Sequence, residues 1–468
     1  MTSDDRADET TVAAGASVPA AAFSDDGTAT APVSSGVGSR VTAPETAIER
    51  SDVTALLTPR DGVPEVIVMP FQLREAAAAL AAGTGPVAID AERASGYRYG
   101  QRAYLIQLRR EGSGTHLVDP IAVPDLAPLT AALAGTEWIL HAASQDLPCL
   151  RELDLRPDAL FDTELAGRLL GFPRVGLSAL LEDVLGFSLA KEHSAADWST
   201  RPLPEPWLRY AALDVELLVE LRDALAQQLI DAGKAEWARE EFEAVRTAPP
   251  AAPRIDPWRR TSGMHKVRRP RQLAVIRAMW ERRDAIARRR DISPGRVLPD
   301  SAIVAAASTA PTGDAVAALP AFSGRGARRH LGDWQAAVAE ALTLPESALP
   351  PSATASDGPP PPRSWADRDP EAAARLAAAK TGLAELATEH QLPVENLVAP
   401  DLVRRISWTP PDPADLATVT AWLRSAGARE WQIGIVAVGL SDAMSARAAD
   451  QIPDPAADVP GGGAVEVE

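Results

Sequence analysis

The 468-residue sequence predicts an α/β domain followed by two all-α helical modules, and three observations carry that expectation. Short β-rich apolar runs alternate with helix-period segments between about residues 60 and 232. Beyond them, residues 265–345 and 369–445 read as wholly helical. Those two stretches also overlay at an offset of about 100 residues, with Ile286 over Leu386, Ile292 over Leu392 and Val297 over Leu397, as a repeated module requires.

Taken in order, residues 1–55 are rich in Ala, Ser, Thr, Asp and Gly, and the first 50 carry 3 basic against 8 acidic residues. Such a stretch buries too little apolar area to offset its ordering entropy, so a disordered acidic tail is expected. Residues 56–232 hold the strand signals EVIVM, PVAIDAE, AYLIQLR, THLVD and EWILHA. Residues 109–114 turn the chain between two of them, which makes at least one hairpin. Helical spacing appears in FQLREAAAALAAG, PDLAPLTAALAG and PWLRYAALDVELLVELRDALAQQLI. The last of these, beginning near Glu205, is expected to be the longest helix, burying Leu208, Ala212, Val215, Leu218 and Val219 in one stripe. Residues 233–264 read as a bridging amphipathic helix and a Pro-rich linker, residues 346–368 as a second Pro-rich linker, and residues 446–468 as a second disordered acidic tail.

A single cysteine, Cys149, rules out an internal disulfide framework and fits a reducing compartment. The opening MTSDDRADET is acidic where a secretory leader is basic, and apolar runs such as IGIVAVGL fall far short of the roughly 20 residues that cross a bilayer. A soluble, cytoplasmic protein is expected. The net charge of −17 argues against nucleic acid only on average. Residues 254–296 hold 14 Lys and Arg against 4 acids, whereas residues 371–440 hold 6 against 8, so only the first module is equipped to grip phosphate.

The chemistry centres on VAIDAERASG, residues 87–96. Strand alternation puts Val87, Ile89 and Ala91 on one side and Ala88, Asp90 and Glu92 on the other. Two carboxylates on one face of an apolar strand are costly to bury unless a cation sits there. Alone, a D-x-E is more often a strand end running into solvent. Asp146, between the strand WILHA and a helix with Pro148 in its first turn, alone reads as a helix N-cap. Tyr210 and Asp214 share one helix face a turn apart, and alone read as a buried phenol beside a solvated acid.

Together they form the order D-x-E, H-x4-D, Y-x3-D, and the stretches DAERASGYRYGQRAYLIQLRR, HAASQDLP and EHSAADWSTRPLP accompany them. With these the sequence resembles the ribonuclease D family, in the tyrosine subclass of the DEDD-superfamily 3′–5′ exonucleases. Its helical modules resemble the HRDC (helicase and ribonuclease D C-terminal) domains that this family carries in tandem. The resemblance runs from about residue 60 to 445, with no departure at the four acids or the tyrosine. It implies a ribonuclease H-like α/β exonuclease domain with a mixed sheet flanked by helices, and two Mg²⁺ or Mn²⁺ ions. Asp90 is implied to bridge both ions, Glu92 and Asp214 to complete one site, Asp146 to act on the other mainly through water, and Tyr210 to orient the attacking water. The implied activity is a metal-dependent 3′–5′ exoribonuclease that trims tRNA precursors and other small structured RNAs to release 5′-mononucleotides. The competing readings are a DNA exonuclease of the same superfamily and a non-catalytic RNA-binding protein on the same fold. No Cys/His set has zinc spacing and no phosphate-binding G-x-x-x-x-G-K-[ST] occurs, which argues against zinc chemistry and ATP hydrolysis.

Candidate RNA contacts are Arg93, Arg98, Arg102 and Gln107 after the first motif, with Lys191 or His193 near substrate. Asp197, Trp198 and Arg201 share a loop with the last two and are expected to pack it against the active-site helix, and His141 to pack beside the second motif. In the first module Leu273, Ile276 and Trp280 form a core stripe, leaving Arg271, Arg277, Arg282, Arg283, Arg288, Arg289 and Arg290 outside it. These arginines read as an RNA-backbone clamp or as a solvated helix face.

Overall fold

The computed structural model describes residues 53–189, 195–310, 312–352 and 358–445. Eight strands form in the first half: β1 (Thr54–Leu56), β2 (Val66–Ile67), β3 (Thr84–Arg93), β4 (Ala103–Glu111), β5 (Gly114–Val118), β6 (Glu137–Leu140), β7 (Ala159–Asp162) and β8 (Phe187–Leu189). Six of them make one mixed sheet in the order β2-β5-β4-β3-β6-β7, antiparallel at β3–β4–β5 and parallel elsewhere. The expected hairpin is the β4–β5 connection, where Gly112 and Gly114 take positive φ of 79° and 75° that a side chain would resist.

Three strands escaped the periodicity reading. β7 is only four residues long, and β1 and β8 form a separate two-stranded parallel pair of three residues each. β1 also corrects the expected tail, because Thr54 and Ala55 pair with β8 inside the span assigned to disorder. The rest of that tail, residues 1–52, and the second tail, residues 446–468, lie outside the described residues.

The helix expected to run unbroken from Glu205 divides into Glu205–Glu216 and Leu218–Asp231, with Leu217 at φ −114° and ψ 7° between them. The break lets one amphipathic sequence serve two surfaces. Ala211 and Ala212 pack on Leu105 and Leu117 of one sheet face, whereas Val215, Leu218, Leu221 and Leu225 join the main core. Leu208 and Val219 are only half-buried, so the single stripe does not exist. Among the described residues the longest helix is instead Pro270–Arg290, 21 residues.

The helix Ala235–Thr247, expected as a bridge, packs on β7, with Phe242 against Phe161 at 4.8 Å between ring centroids. The two Pro-rich linkers each end in a buried tryptophan, Trp258 in the first module's core and Trp365 in the second's.

The 100-residue repeat is visible in the backbone. Pro270–Arg290, Pro294–Val297 and Asp300–Thr309 recur as Pro370–Glu389, Val394–Leu397 and Pro400–Trp408. The first module closes a core of its own around Ile276, Met279, Phe322 and Trp334, and Trp280 is only half-buried at its margin. The second shares one continuous core with the α/β domain.

Candidate active site

Asp90 and Glu92 lie near the end of β3, on the face covered by the helix Glu205–Glu216. Two small residues on that helix, Ala211 and Ala212, are fully buried and let it come close to the sheet. The approach carries Tyr210 and Asp214 over the strand end. One carboxylate oxygen each from Asp90, Glu92 and Asp214 then lie within 4.8 Å of one another. Asp214, more than a hundred residues further along the chain, thus meets Asp90 and Glu92 where the D-x-E and Y-x3-D motifs require.

Asp146 stands at the N-cap position of the helix Leu147–Arg151, yet its side chain caps nothing. It is buried and instead lies 3.4 Å from the Arg93 guanidinium. The loop that presents it is held by Asp162, whose carboxylate accepts the N–H groups of Ala142 and Ala143 as well as those of Glu164 and Leu165. Asp162 was not singled out from the sequence, although an Asp preceding TELAG is a legible N-cap. His141 packs as expected, on Thr163 at 2.9 Å, and burial lowers its pKa to about 4, so it stays neutral.

Burial raises the proton affinity of all four acids. For Asp90 the backbone N–H of Ala91 and the Arg93 charge work against that rise. Glu92 is pushed well up by burial and then by the charges of Asp90, Asp214 and Asp146. Asp146 and Asp214 are likewise pushed well up by burial and then by Asp90. The Tyr210 phenol donates to Asp214 and is itself driven upward by burial and the neighbouring carboxylates, so it holds its proton. Such a cluster of acids strains against its own charge, and an all-oxygen, carboxylate donor set of this kind suits a hard divalent cation.

The loop after residue 194 packs against the active-site helix. Trp198 is fully buried, with ring centroids 5.5 Å from Trp207 and 6.4 Å from Tyr210. Arg201 grips Asp119 through two nitrogens at 2.6 and 3.0 Å and also donates to the Tyr104 carbonyl at 2.8 Å. Asp197 accepts from Ser199, to which Arg98 donates at 2.8 Å, so Arg98 braces this loop. Lys191 and His193 lie outside the described residues.

Other candidates separate by position. Arg93 stays at the acids. Gln107 faces Asp90 across the β3–β4 register and is fully buried, and neither of its amide atoms finds a hydrogen-bond partner among the described residues. Arg102 lies over the Tyr104 ring at 5.1 Å and 3.8 Å from Asp291 of the first module, which turns it away from the acids.

Five of the module arginines, Arg271, Arg277, Arg282, Arg283 and Arg288, require correction as RNA contacts, because the protein itself engages them. Arg283 is buried and bonded to Asp300 at 2.6 Å and to the Leu298 carbonyl at 2.9 Å. Arg282 spans Asp333 and Glu340 at 3.4 Å each. Arg283 faces inward because the helix Pro270–Arg290 is covered by its own module on that side, whereas Arg282 is half-exposed and held by acids of the same module. Arg271 and Arg277 likewise donate to carbonyls at residues 344 and 348. Arg288 bonds Asp284 and the Tyr99 hydroxyl, which places it at the junction with the α/β domain. Arg289 and Arg290 remain exposed.

Sequence reasoning missed that junction. Asp291 accepts the N–H groups of Tyr99 and Gly100 at 3.2 Å each, and Ser293 donates its N–H to the Tyr97 carbonyl at 2.9 Å. Arg296 donates to the Gly96 carbonyl at 3.0 Å and lies 4.0 Å over the Tyr97 ring. The segment following the first motif is therefore clasped by the first module. Among the described residues no helix is long and apolar enough to cross a membrane.

Comparison with known proteins agrees with this architecture. Residues 64–230 match the 3′-5′ exonuclease family model, residues 272–338 the HRDC domain model, and residues 358–444 a model described as the 3′ to 5′ exonuclease C-terminal domain. The chain is 32% identical over 354 residues to ribonuclease D of Gluconacetobacter diazotrophicus, spanning 72% of this chain and 84% of that one. With ribonuclease D of Cronobacter turicensis it is 31% identical over 272 residues, 56% of this chain and 72% of the relative. Among solved structures, a protein from Bifidobacterium adolescentis is 38% identical with a TM-score of 0.78, covering 84% of this chain and all of that one. Escherichia coli RNase D, described as an exoribonuclease involved in structured RNA processing, is 25% identical with a TM-score of 0.60, covering 81% of this chain and 98% of the other.

Proposed function

This chain belongs to the ribonuclease D family, and from that premise we propose that it is a metal-dependent 3′–5′ exoribonuclease trimming the 3′ ends of tRNA precursors and other small structured RNAs. The observation that carries the reading is the convergence of Asp90, Glu92 and Asp214 under Tyr210, with Asp146 held beside Arg93. Half-buried, mutually repelling carboxylates of raised proton affinity are a poor arrangement for stability alone and a good one for cations.

In this reading the four acids would hold two Mg²⁺ or Mn²⁺ ions. When bound they supply neutralisation of the phosphoryl group under attack and of the departing 3′-oxygen. Tyr210 keeps its proton toward Asp214, leaving its oxygen lone pairs to accept from the attacking water and orient it. Arg93, 27% exposed beside the acids, is placed to bind the phosphate that approaches them. Trp198 and Arg201 fix the loop that packs on Tyr210. The products are 5′-mononucleotides. Cys149, the lone thiol, is buried and its pKa is pushed up to about 12, which suits a reducing cytoplasm and no redox role.

The test is hydrolysis of matched RNA and DNA oligonucleotides by the full chain with Mg²⁺, Mn²⁺ or EDTA. Stepwise shortening of RNA from the 3′ end, abolished by EDTA and lowered about 10³-fold or more in Asp90→Asn, is expected. Equal or faster digestion of DNA makes it a DNA exonuclease, and binding without cleavage makes it a scaffold.

A further inference from the structure

Gln107 sits at the middle of β4, and its side chain is completely shielded from solvent. Neither its amide nitrogen nor its amide oxygen has a hydrogen-bond partner among the described residues. A carboxamide sealed away without partners costs free energy that an apolar side chain of the same shape would not. Full burial also removes Gln107 from the RNA contacts expected of it.

Its neighbours narrow what the amide can serve. Residues two apart on a strand share a face, so Leu105, Gln107 and Arg109 all point toward the helix Glu205–Glu216. Leu105 joins the apolar cluster of Ala211 and Ala212 from that helix, and so does Leu117, the register partner of Gln107 on β5. Arg109 is already engaged, with Glu216 at 3.3 Å and with the Thr115 hydroxyl at 2.7 Å. Glu216 in turn accepts the backbone N–H of Arg60 at 3.3 Å. On the remaining side β3 places Asp90 directly opposite Gln107, and such cross-strand partners bring their Cβ atoms to about 5 Å. The Asp90 carboxylate accepts the N–H of Ala91, which leaves it lone pairs for a second donor.

We infer that Gln107 is a positioning residue for Asp90: with cations in the acid cluster, its amide N–H donates to the Asp90 carboxylate and fixes the orientation in which that carboxylate holds them. A rotation of either side chain makes the bond, because the two residues are register partners. The inference rests on the cation reading of Asp90, Glu92 and Asp214 and adds a residue that touches neither ion nor RNA. Groups of this kind act by holding a metal ligand still, and their loss typically weakens metal affinity about 10- to 100-fold. The expected signature is a side chain that the metal-free fold would be better without.

The experiment compares wild type with Gln107→Met, which keeps the side chain's length and removes both polar atoms. Mn²⁺ uptake by the full chain, first stripped of metal, is followed through the EPR signal of free Mn²⁺. Affinity should fall about tenfold in Gln107→Met, and kcat on RNA should fall with it at nearly unchanged KM. In EDTA the same variant should unfold at an equal or higher urea concentration, since no satisfied amide is lost. Leu117→Met alters packing beside Gln107 on the same face and should take up Mn²⁺ as wild type does. A Gln107→Met affinity within about twofold of wild type, or an equal loss in Leu117→Met, overturns the proposal. So does a lower urea midpoint for Gln107→Met in EDTA, which would show the amide serving the fold through a buried water. A wild type that takes up no Mn²⁺ instead refutes the cation reading itself, and the role of Gln107 falls with it.

Discussion

Asp291 and Gln391 occupy the same corner of the two helical modules, each in the left-handed region with φ of 47° and 52°, and each meets the α/β domain. At Gln391 the meeting is close and mostly apolar. Its carbonyl would lie 2.6 Å from any Cβ placed at Gly171, Trp237 stacks on Trp431 at 4.9 Å, and Lys234 donates to the carbonyls of Leu169 and His390 at 2.8 Å each. At Asp291 the meeting is polar: a carboxylate holds two backbone N–H groups of the segment after the D-x-E motif. The second module has merged its core with the α/β domain, whereas the first keeps its own core and reaches the active site by hydrogen bonds. Equivalent corners of a duplicated unit have thus diverged, one toward stability and the other toward the site.

The largest effect should come from breaking the merged core. Trp431→Ala removes a stacked, buried indole whose ring nitrogen also donates to Glu241 at 3.1 Å. A loss of about 3–5 kcal/mol is expected, read by denaturant unfolding. Because the core is continuous, calorimetry should show the α/β domain and the second module melting together at a lower temperature. Separate transitions for the α/β domain and the second module, with only the latter shifted, would show that the modules do not differ in this way.

Arg283→Ala is the counterpart in the first module. It takes the guanidinium from the Leu298 carbonyl and from Asp300, and about 2–4 kcal/mol should be lost, toward the lower end because Asp300 keeps the Ser262 N–H and its side chain is 31% exposed. Here only the first module's transition should move, and RNA affinity measured below that transition should hold. A matching shift in the α/β domain would mean that the two cores are coupled.

These contrasts were only half legible in the sequence. Alternation along residues 87–92 put Asp90 and Glu92 on one face, and one helical turn joined Tyr210 to Asp214, because both depend on local geometry alone. Charge counting likewise found the first module basic. What local geometry cannot supply is the partner: Arg283 and Arg289 are both arginines of one helix, and only packing decides that the first is buried against Asp300 while the second faces solvent. The break at Leu217 was hidden for the same reason, since both halves of that sequence are good helix and the sheet decides where the chain must bend.

Asp291→Gly tests the polar clasp itself, keeping the left-handed backbone unstrained while deleting the carboxylate. The loss of two hydrogen bonds at a partly exposed site should cost about 1–3 kcal/mol of docking free energy, with no change in either melting transition. If the clasp serves the reaction, kcat/KM on RNA should fall roughly tenfold, the equivalent of about 1.4 kcal/mol. Unchanged kinetics would leave the junction a simple tether.

Tyr99→Phe makes the smallest cut. Its hydroxyl donates to Asp284 at 3.0 Å and accepts from Arg288, so the substitution unlinks the helix Pro270–Arg290 from the active-site segment without disturbing Asp291. The hydroxyl is partly exposed and water can replace it, so the cost should stay below about 1 kcal/mol and activity should change less than fivefold. Combined with Asp291→Gly the effects should exceed their sum if the two bonds hold the segment cooperatively, as contacts at a single junction do. Strict additivity in the double variant would mean that the Asp291 and Tyr99 contacts act independently of each other.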